Sequence, residues 1–433
     1  MEIKEFKIDK KTVFFALFAI TLFALIVRLT AGFAYYSKFD LSYYIRWATG
    51  LHEGGFFNAY EYLKDGANSL DYPPLFLFPL YIVGLIIKNP AVVESNADYM
   101  LALKFFQILF DVLIIPAIYF IFKKYGEIKA LLGAALWAIN PAMIINSAYW
   151  GQTDSLMILL LLITFACMQS DRVYLATFFY CLSCLAKFQC AYFAPVFLLY
   201  VFFIKKNGEK HKLRNFKQLS IAIGVGAATV LSAFLPFIVN SSYGFALPFK
   251  LYFGGFGKYQ YATYNAYNLY AAIGLNSKPE YNEILGTLTW GDISNFILIL
   301  ILVSVVYLFF KAPNKNLWVL SFYLMQSVFM LTTKMHERYQ IPVLIFCLAC
   351  YFVINDLKFL KIFVVQSVLI FINEALVFFW WTLNDKQDAF FYKNFDSLTI
   401  IFSIINLAFF VYTTYISIKT MYKKEGDLNV KTA

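Results

Sequence analysis

An acidic residue and three aromatic residues stand at helical spacing near the start of the chain. Asp40, Tyr43, Tyr44 and Trp47 occupy positions i, i+3, i+4 and i+7, so a short helix lying on a membrane surface would place them on one face. Aromatic neighbours withdraw a carboxylate from water, which raises its proton affinity and suits it to act as a general base. Helix capping by Asp40 is the competing interpretation.

Two further acidic residues precede apolar runs. Asp71 comes just before Pro73 and Pro74, and prolines in the first positions start a helix whose exposed amides an acid complements. Asp154, within residues 149–155, precedes a leucine-rich run that it is suited to cap. Helix initiation accounts for both acids but not for Gln152, so a binding role stays open for these two segments.

Cationic residues come at other predicted helix ends. The turn at 333–339 contains four ionisable residues, Lys334, His336, Glu337 and Arg338. Lys187 and Gln189 follow another apolar run. Cations at the level of lipid headgroups are what a phosphate leaving group needs. A charged surface loop is the alternative for 333–339, and snorkelling of the side chain is the alternative for Lys187.

The elements that must position these residues are membrane helices. Hydrophobic residues make up 61% of the 433 residues and charged residues only 14%, too little charge to cover a soluble fold of this size. We predict an all-α, polytopic transmembrane helical bundle with twelve spans near 12–33, 100–122, 129–148, 155–169, 173–188, 190–204, 218–239, 293–310, 316–333, 340–354, 361–381 and 397–417. The run at 75–87 is too short to cross comfortably and is interpreted as an interfacial or re-entrant helix.

The distribution of basic residues sets the expected orientation. More of the 36 Lys and Arg residues lie in cytoplasmic loops if 75–87 does not cross the bilayer, which favours twelve spans with both termini cytoplasmic. The long loops at 34–99 and 240–292 then lie outside, within one domain covering 1–433. The tyrosine-rich stretch 243–270 offers stacking faces for sugars or forms an aromatic belt. Basic residues scattered between apolar runs exclude a nucleic-acid partner.

One acidic residue falls inside an apolar run. Lys104 and Asp111 are seven residues apart on one face of the predicted second span. Because a charge within the bilayer is costly, we expect Asp111 to face the interior of the bundle and to pair with a base.

Five motifs in this order resemble the GT-C class of membrane glycosyltransferases, which use polyprenyl-phosphate sugars as donors. Asp40 in a long first outer loop, followed by the Asp-Tyr-Pro-Pro-Leu segment at 71–75, is similar to the pattern of that class. Residues 149–155, 265–270 and 335–339 resemble segments of bacterial proteins related to the GPI mannosyltransferases.

The resemblance implies an inverting hexosyltransferase, mannosyltransferase-like, in the bacterial cytoplasmic membrane, with a glycan, glycolipid or protein acceptor on the outer face. It implies that Asp40 is the base and that Arg338, His336 and Lys187 bind the donor phosphate. The other expected substrate-site or supporting residues are Asp71, Gln152, Asp154, Gln189, Glu337, Arg46, Tyr44, Asn265 and Asn268. No Asp-x-Asp pair stands near Asp154, so a reaction without metal or other cofactor is favoured.

Other functions remain open at this stage. A twelve-helix transporter would place polar groups near the midplane and often shows inverted repeats. A lipid-linked sugar flippase or a polysaccharide polymerase would handle the same lipids. A glycoside hydrolase that pairs Asp40 with Asp71 has no need of twelve spans.

Overall fold

The computed structural model describes residues 9–34, 38–66, 69–87, 97–204, 212–384 and 397–423. Parts of the predicted first outer loop and residues 205–211 lie outside these residues. The described residues form α-helices with a few very short strands, which confirms the all-α fold. The single domain over 1–433 stays a prediction.

The α-helices are α1 Lys10–Ala34, α2 Lys38–Glu53, α3 Ala59–Tyr62, α4 Leu77–Ile86, α5 Ala97–Phe122, α6 Glu127–Ala138, α7 Pro141–Ile144, α8 Asp154–Gln169, α9 Val173–Ala186, α10 Ala194–Phe202, α11 Phe216–Val239, α12 Leu247–Lys258, α13 Leu269–Ala272, α14 Trp290–Lys311, α15 Leu317–Leu331, α16 Pro342–Ile354, α17 Leu357–Asn384 and α18 Ser397–Tyr422. The strands are β1 Phe203–Ile204, β2 Lys212–Leu213, β3 Thr263–Tyr264, β4 Glu283–Leu285, β5 Leu288–Thr289 and β6 Met335–His336.

The helices identify an integral, multi-pass membrane protein. Within the described residues, 7 helices are long and apolar enough to cross a membrane, and α6 with the segment Pro141–Trp150 adds one span if this bent pair counts as one. Each of the twelve predicted runs contains a helix, but α8, α9, α10 and α15 are shorter than a full span. Twelve crossings therefore stay a prediction.

The predicted first outer loop is built from short helices that pack on each other. The predicted surface helix is α2, and it buries Tyr44 and Trp47 against α4 and the turn before it. At Gly84 a side chain would come within 2.3 Å of the Ala48 carbonyl oxygen, so glycine lets the two helices approach closely. The predicted helix at 75–87 is the 3-10 turn Pro74–Phe76 followed by α4.

A break in one membrane helix turns the chain towards this loop. α6 ends before Asn140, whose side chain accepts hydrogen bonds from the amides of Ala142 and Met143 and caps α7. A π-helix, Ile145–Trp150, follows and ends at Gly151, which has a φ of 77°. The two parts of the span meet at 46°, because a proline at 141 cannot continue the hydrogen-bond ladder of α6.

A buried ion pair joins α1 to α5 next to this break. Arg28 Nε is 2.6 Å from Asp111 Oδ2, and both side chains are fully buried. Trp137 Nε1 donates to Asp111 Oδ1, and Ser147 Oγ donates to Asp111 Oδ2. The expected pairing of Asp111 with a base inside the bundle is confirmed, with Arg28 as the base. Lys104, on the same helix, donates to the Gly32 carbonyl oxygen instead.

The predicted second outer loop is tied to the turn between α15 and α16. Strands β3 and β6 pair in parallel, with Thr263 opposite Met335 and Tyr264 opposite His336. The turn at 333–339 is therefore not a free surface loop. His336 and Glu337 are buried beneath the second outer loop.

Candidate active site

Asp40 lies in the first turn of α2 and faces the bent span. Its Oδ2 accepts hydrogen bonds from Trp150 Nε1 at 2.5 Å and from Gln152 Nε2 at 3.0 Å. The π-helix and the left-handed turn at Gly151 aim both donors at the carboxylate. Gln152, which capping left unexplained, thus has a partner in Asp40.

Arg338 lies over the face of the Trp150 ring, whose Nε1 edge faces Asp40. Its guanidinium carbon is 5.8 Å from the ring centroid, and its Nη1 is 2.6 Å from Glu337 Oε1. The positive charge of Arg338 also interacts with the negative charge of Asp40. The structure therefore brings a carboxylate and a cation from opposite ends of the sequence to one indole ring.

Aromatic side chains line the Asp40 side of this cluster. Tyr44 makes edge contacts with Tyr72 and Phe76, and Trp47 lies 5.3 Å from Tyr72 between ring centroids. Burial, followed by the neighbouring Tyr72 and Asp40, raises the pKa of Tyr44 well above its usual value. The Tyr72 hydroxyl accepts a hydrogen bond from Thr153 at 3.4 Å. The aromatic surroundings expected for Asp40 are present.

Lys187 and Asp154 form a buried ion pair. Lys187 Nζ is 2.7 Å from Asp154 Oδ1, and both side chains are at most 2% exposed. Asn146 Nδ2 donates to Asp154 Oδ2 at 3.3 Å and to Glu374 Oε1 at 2.8 Å. Asp154 is the first residue of α8 and bonds these side chains rather than capping the helix. Gln189 is buried nearby in the 3-10 helix Phe188–Phe193.

His336 is held between tyrosines of the second outer loop. Its ring stacks on Tyr264 at 4.7 Å, and the ring of Tyr259 meets it edge-on at 4.8 Å. Burial, with smaller effects of Arg338 and Lys187, lowers the pKa of His336 well below its usual value. The imidazole is therefore neutral at pH 7 and offers the site a hydrogen bond rather than a charge.

Asp71 also faces this region. Burial raises the pKa of Tyr259, and the negative charge of Asp71 adds to the increase. The helix that follows begins at Pro74, with Pro73 as its N-cap. Asp71 thus acts electrostatically on a tyrosine that also feels Arg338 and Asp40.

Three of the predicted site residues make contacts that hold loops. Arg46 Nη2 donates to the Asp65 carbonyl oxygen at 2.9 Å. The backbone N–H of Asn265 donates a hydrogen bond to Asn276 Oδ1, and Asn265 adopts a left-handed φ of 58°. Asn268 caps α13 and donates to the carbonyl oxygens of Phe329 and Thr332. These hydrogen bonds hold the loops and do not involve Asp40 or Arg338.

Sequence reasoning singled out neither Trp150 nor Tyr72 as functional, although they lie within the segments 149–155 and 71–75. It also did not place Asn146 and Glu374 at the site, where their hydrogen bond joins α17 to the π-helix. An acidic residue within the apolar run 361–381 was the available signal for Glu374. Among the described residues, no group of three or more His, Cys, Asp or Glu side chains is suited to hold a metal ion. Independence from metal stays a prediction.

Comparison with known proteins gives one match to a protein family. Residues 62–250 match the family model of the ALG6, ALG8 glycosyltransferase family, and no curated protein matches the chain. The matched residues include the Asp-Tyr-Pro-Pro segment and the Lys187–Asp154 pair. The finer likeness to relatives of the GPI mannosyltransferases stays a prediction. The match supports membrane glycosyltransferase activity for this multi-pass protein, and the resemblance to the GT-C class is confirmed.

Proposed function

We propose that this protein transfers a hexose from a polyprenyl-phosphate donor to an acceptor hydroxyl at the outer face of a bacterial cytoplasmic membrane. The observation that supports this most is the placement of Asp40 at the Nε1 edge of Trp150 and of Arg338 over the ring of the same side chain. A base and a cation beside one indole ring are the two groups that such a transfer requires.

Asp40 is the proposed general base. Trp150 and Gln152 both donate to Oδ2, which fixes the carboxylate and directs Oδ1 to the acceptor hydroxyl. The hydroxyl gives its proton to Asp40 while its oxygen forms a bond to the anomeric carbon. The bond from that carbon to the phosphate oxygen breaks on the opposite face, so the product has inverted configuration.

Arg338 is the proposed ligand of the departing phosphate. A guanidinium can donate to two phosphate oxygens at once, and its charge offsets the negative charge that develops on the leaving group. His336 contributes a hydrogen bond from the neutral imidazole. Lys187 contributes its charge from the pair with Asp154, so replacing it also leaves that carboxylate unpaired.

The other polar residues orient these groups. Gln152 holds Asp40, and Glu337 holds Arg338 at 2.6 Å. Tyr44 and Tyr72 supply ring faces for the apolar side of a sugar. Asp71, Gln189, Arg46, Asn265 and Asn268 support the outer loops around the site. The proposed reaction uses neither a metal ion nor another cofactor.

A transfer assay tests the function. Purified protein in liposomes is given polyprenyl-phosphate mannose, polyprenyl-phosphate glucose or the matching nucleotide sugars, together with a mixed glycan and glycolipid acceptor fraction. We expect product only with polyprenyl-phosphate donors. Product only with nucleotide sugars would contradict the proposal. Donor translocation without any transfer product would favour the flippase instead.

A further inference from the structure

One carboxylate at the candidate active site has no role in the reaction proposed above. Glu374 lies on α17 and is fully buried. Its Oε1 accepts a hydrogen bond from Asn146 Nδ2 at 2.8 Å, whereas its Oε2 has no hydrogen-bond partner among the described residues. Because a buried carboxylate oxygen without a donor destabilises the folded protein, this atom is suited to accept a hydrogen bond from a ligand.

α17 brings Glu374 close to the proposed phosphate ligand. The helix packs against the π-helix Ile145–Trp150 and against the 3-10 helix Glu337–Gln340, which carries Arg338. The negative charge of Glu374 interacts with the positive charge of Arg338. Glu374 therefore lies beside the region that a sugar attached to the phosphate would occupy.

Asn146 connects Glu374 to the side of the site that holds the proposed base. The Asn146 carbonyl oxygen accepts a hydrogen bond from the backbone N–H of Gln152 at 2.8 Å, and the Gln152 side chain donates to Asp40. The Asn146 side chain has one orientation, because its Nδ2 donates to both Asp154 and Glu374. Its Oδ1 is left without a hydrogen-bond partner among the described residues.

Most of the buried side-chain atoms of the candidate site that lack a partner in the described part of the chain are hydrogen-bond acceptors. The acceptors are Asn146 Oδ1, Gln189 Oε1, Glu337 Oε2 and Glu374 Oε2, whereas Arg338 Nε is a donor and His336 Nε2 serves as either. A ligand that satisfies such atoms brings hydrogens bound to oxygen or nitrogen. The hydroxyl groups of a hexose do so, whereas a carboxylate on the sugar would be repelled by Glu337 and Glu374.

We infer that Glu374 and Asn146 bind hydroxyl groups of the transferred sugar and thereby select neutral hexoses, an inference that rests on the proposed function above. Glu374 Oε2 accepts a hydrogen bond from one hydroxyl, and Asn146 Oδ1 accepts one from another. A sugar that lacks the hydroxyl leaves the buried carboxylate oxygen unbonded, so the site discriminates against it. The two residues determine specificity and take no part in the displacement itself.

Two variants test the role of Glu374. In Glu374→Gln the amide oxygen accepts the hydrogen bond from Asn146, so the amide nitrogen stands where Oε2 stood and an acceptor becomes a donor. Glu374→Met removes the acceptor and fills a similar volume without a buried charge, so it should keep the fold. Glu283→Gln is the matched control, because Glu283 is an exposed acid of β4.

The donors are polyprenyl-phosphate hexoses that lack one hydroxyl at a time, together with the full hexose and a hexuronic acid. For wild type, removal of the hydroxyl that Glu374 binds should lower kcat/KM at least about tenfold, the loss expected for one hydrogen bond to a buried carboxylate. In both Glu374 variants this deoxy donor and the full hexose should differ by less than about threefold, whereas the ratios for the other deoxy donors should stay as in wild type. Glu283→Gln should match wild type with every donor.

Three results would overturn the inference. An equal loss with all donors in the Glu374 variants would show that Glu374 only supports the fold. Unchanged ratios for every deoxy donor would show that water rather than the sugar bonds Oε2. Equal use of the hexuronic acid and the hexose by wild type would contradict the selection of neutral sugars.

A binding measurement separates this inference from the proposed function. Calorimetry compares polyprenyl-phosphate hexose with polyprenyl phosphate alone, and the ratio of the two Kd values reports what the hexose adds to binding. We expect Glu374→Gln to reduce that ratio at least about tenfold and to leave Kd for polyprenyl phosphate unchanged. An unchanged ratio, or no contribution of the hexose in wild type, would overturn the inference. A hexose that binds through Glu374 but is never transferred would contradict the proposed function alone.

Discussion

Two clusters of buried charges in this protein differ in how completely their atoms are hydrogen-bonded, and the lower one lies further along α1 and α5 from the predicted first outer loop than the upper one. In the lower cluster, all three guanidinium nitrogens of Arg28 and both carboxylate oxygens of Asp111 make hydrogen bonds. In the upper cluster, the buried side-chain atoms without a hydrogen-bond partner among the described residues include Asn146 Oδ1, Gln189 Oε1, His336 Nε2, Glu337 Oε2, Arg338 Nε and Glu374 Oε2.

The difference separates a structural cluster from a functional one. A buried polar group without a hydrogen bond destabilises the folded protein, so a cluster with several of them is retained for another reason. The lower cluster holds α1, α5 and the helix break together. The upper cluster surrounds Asp40 and Arg338, where substrate groups are expected to bind.

The largest expected effect comes from removing the proposed base in the upper cluster. Asp40→Asn keeps the shape of the side chain and removes its basicity, so kcat/KM should fall by two to four orders of magnitude, roughly 3–5 kcal/mol of barrier. Initial transfer rates measure this. The thermal unfolding midpoint should not fall, and Asp65→Asn, an exposed acid of the same outer loop, should retain full activity. Full activity of Asp40→Asn would place the base elsewhere.

The lower cluster should respond in the opposite way. Asp111→Asn leaves Arg28 buried without its counter-ion, which should cost about 3–5 kcal/mol of stability. Thermal unfolding in detergent measures this, and kcat of the protein that remains folded should change much less. The double change Arg28→Met with Asp111→Leu should recover most of the loss. An unchanged unfolding midpoint for Asp111→Asn would show that the pair does not stabilise the fold.

A third test asks whether the upper cation binds phosphate. Arg338→Lys keeps the charge but can no longer donate hydrogen bonds to two phosphate oxygens at once. KM for the sugar donor should therefore rise about tenfold. Donor titrations measure this, with Arg172→Lys as the exposed control at the start of α9. Equal donor KM values for wild type and Arg338→Lys would remove Arg338 from the phosphate site.

The smallest effect concerns pH. Because the pKa of His336 in the folded protein lies well below its usual value, the unfolded chain binds a proton below about pH 6.5 that the folded protein does not bind. His336 should therefore lower stability as the pH falls from about 7 to 5. Unfolding midpoints across this range should decline more steeply for wild type than for His336→Gln. Parallel declines would contradict a buried neutral imidazole.

The sequence predicted what depends on local pattern. The apolar runs marked the positions of the long helices, the helical spacing after Asp40 marked α2, and the cost of a charge in lipid predicted a base for Asp111. It did not predict Arg28 as that base, nor the pairing of Lys187 with Asp154, because contacts between distant helices leave no local periodicity. The π-helix before Gly151 was missed because it lies within one continuous apolar run, and with it the contacts of Trp150 with Asp40 and Arg338.

The stereochemistry of transfer tests the central claim most directly. If Asp40 activates the acceptor on one face of the sugar while phosphate leaves towards Arg338 on the other, the anomeric configuration inverts in a single displacement. NMR of the first product formed from a donor of known configuration measures this. The account predicts the opposite anomer from the donor. A product that keeps the configuration of the donor would require two displacements and would contradict Asp40 as the base.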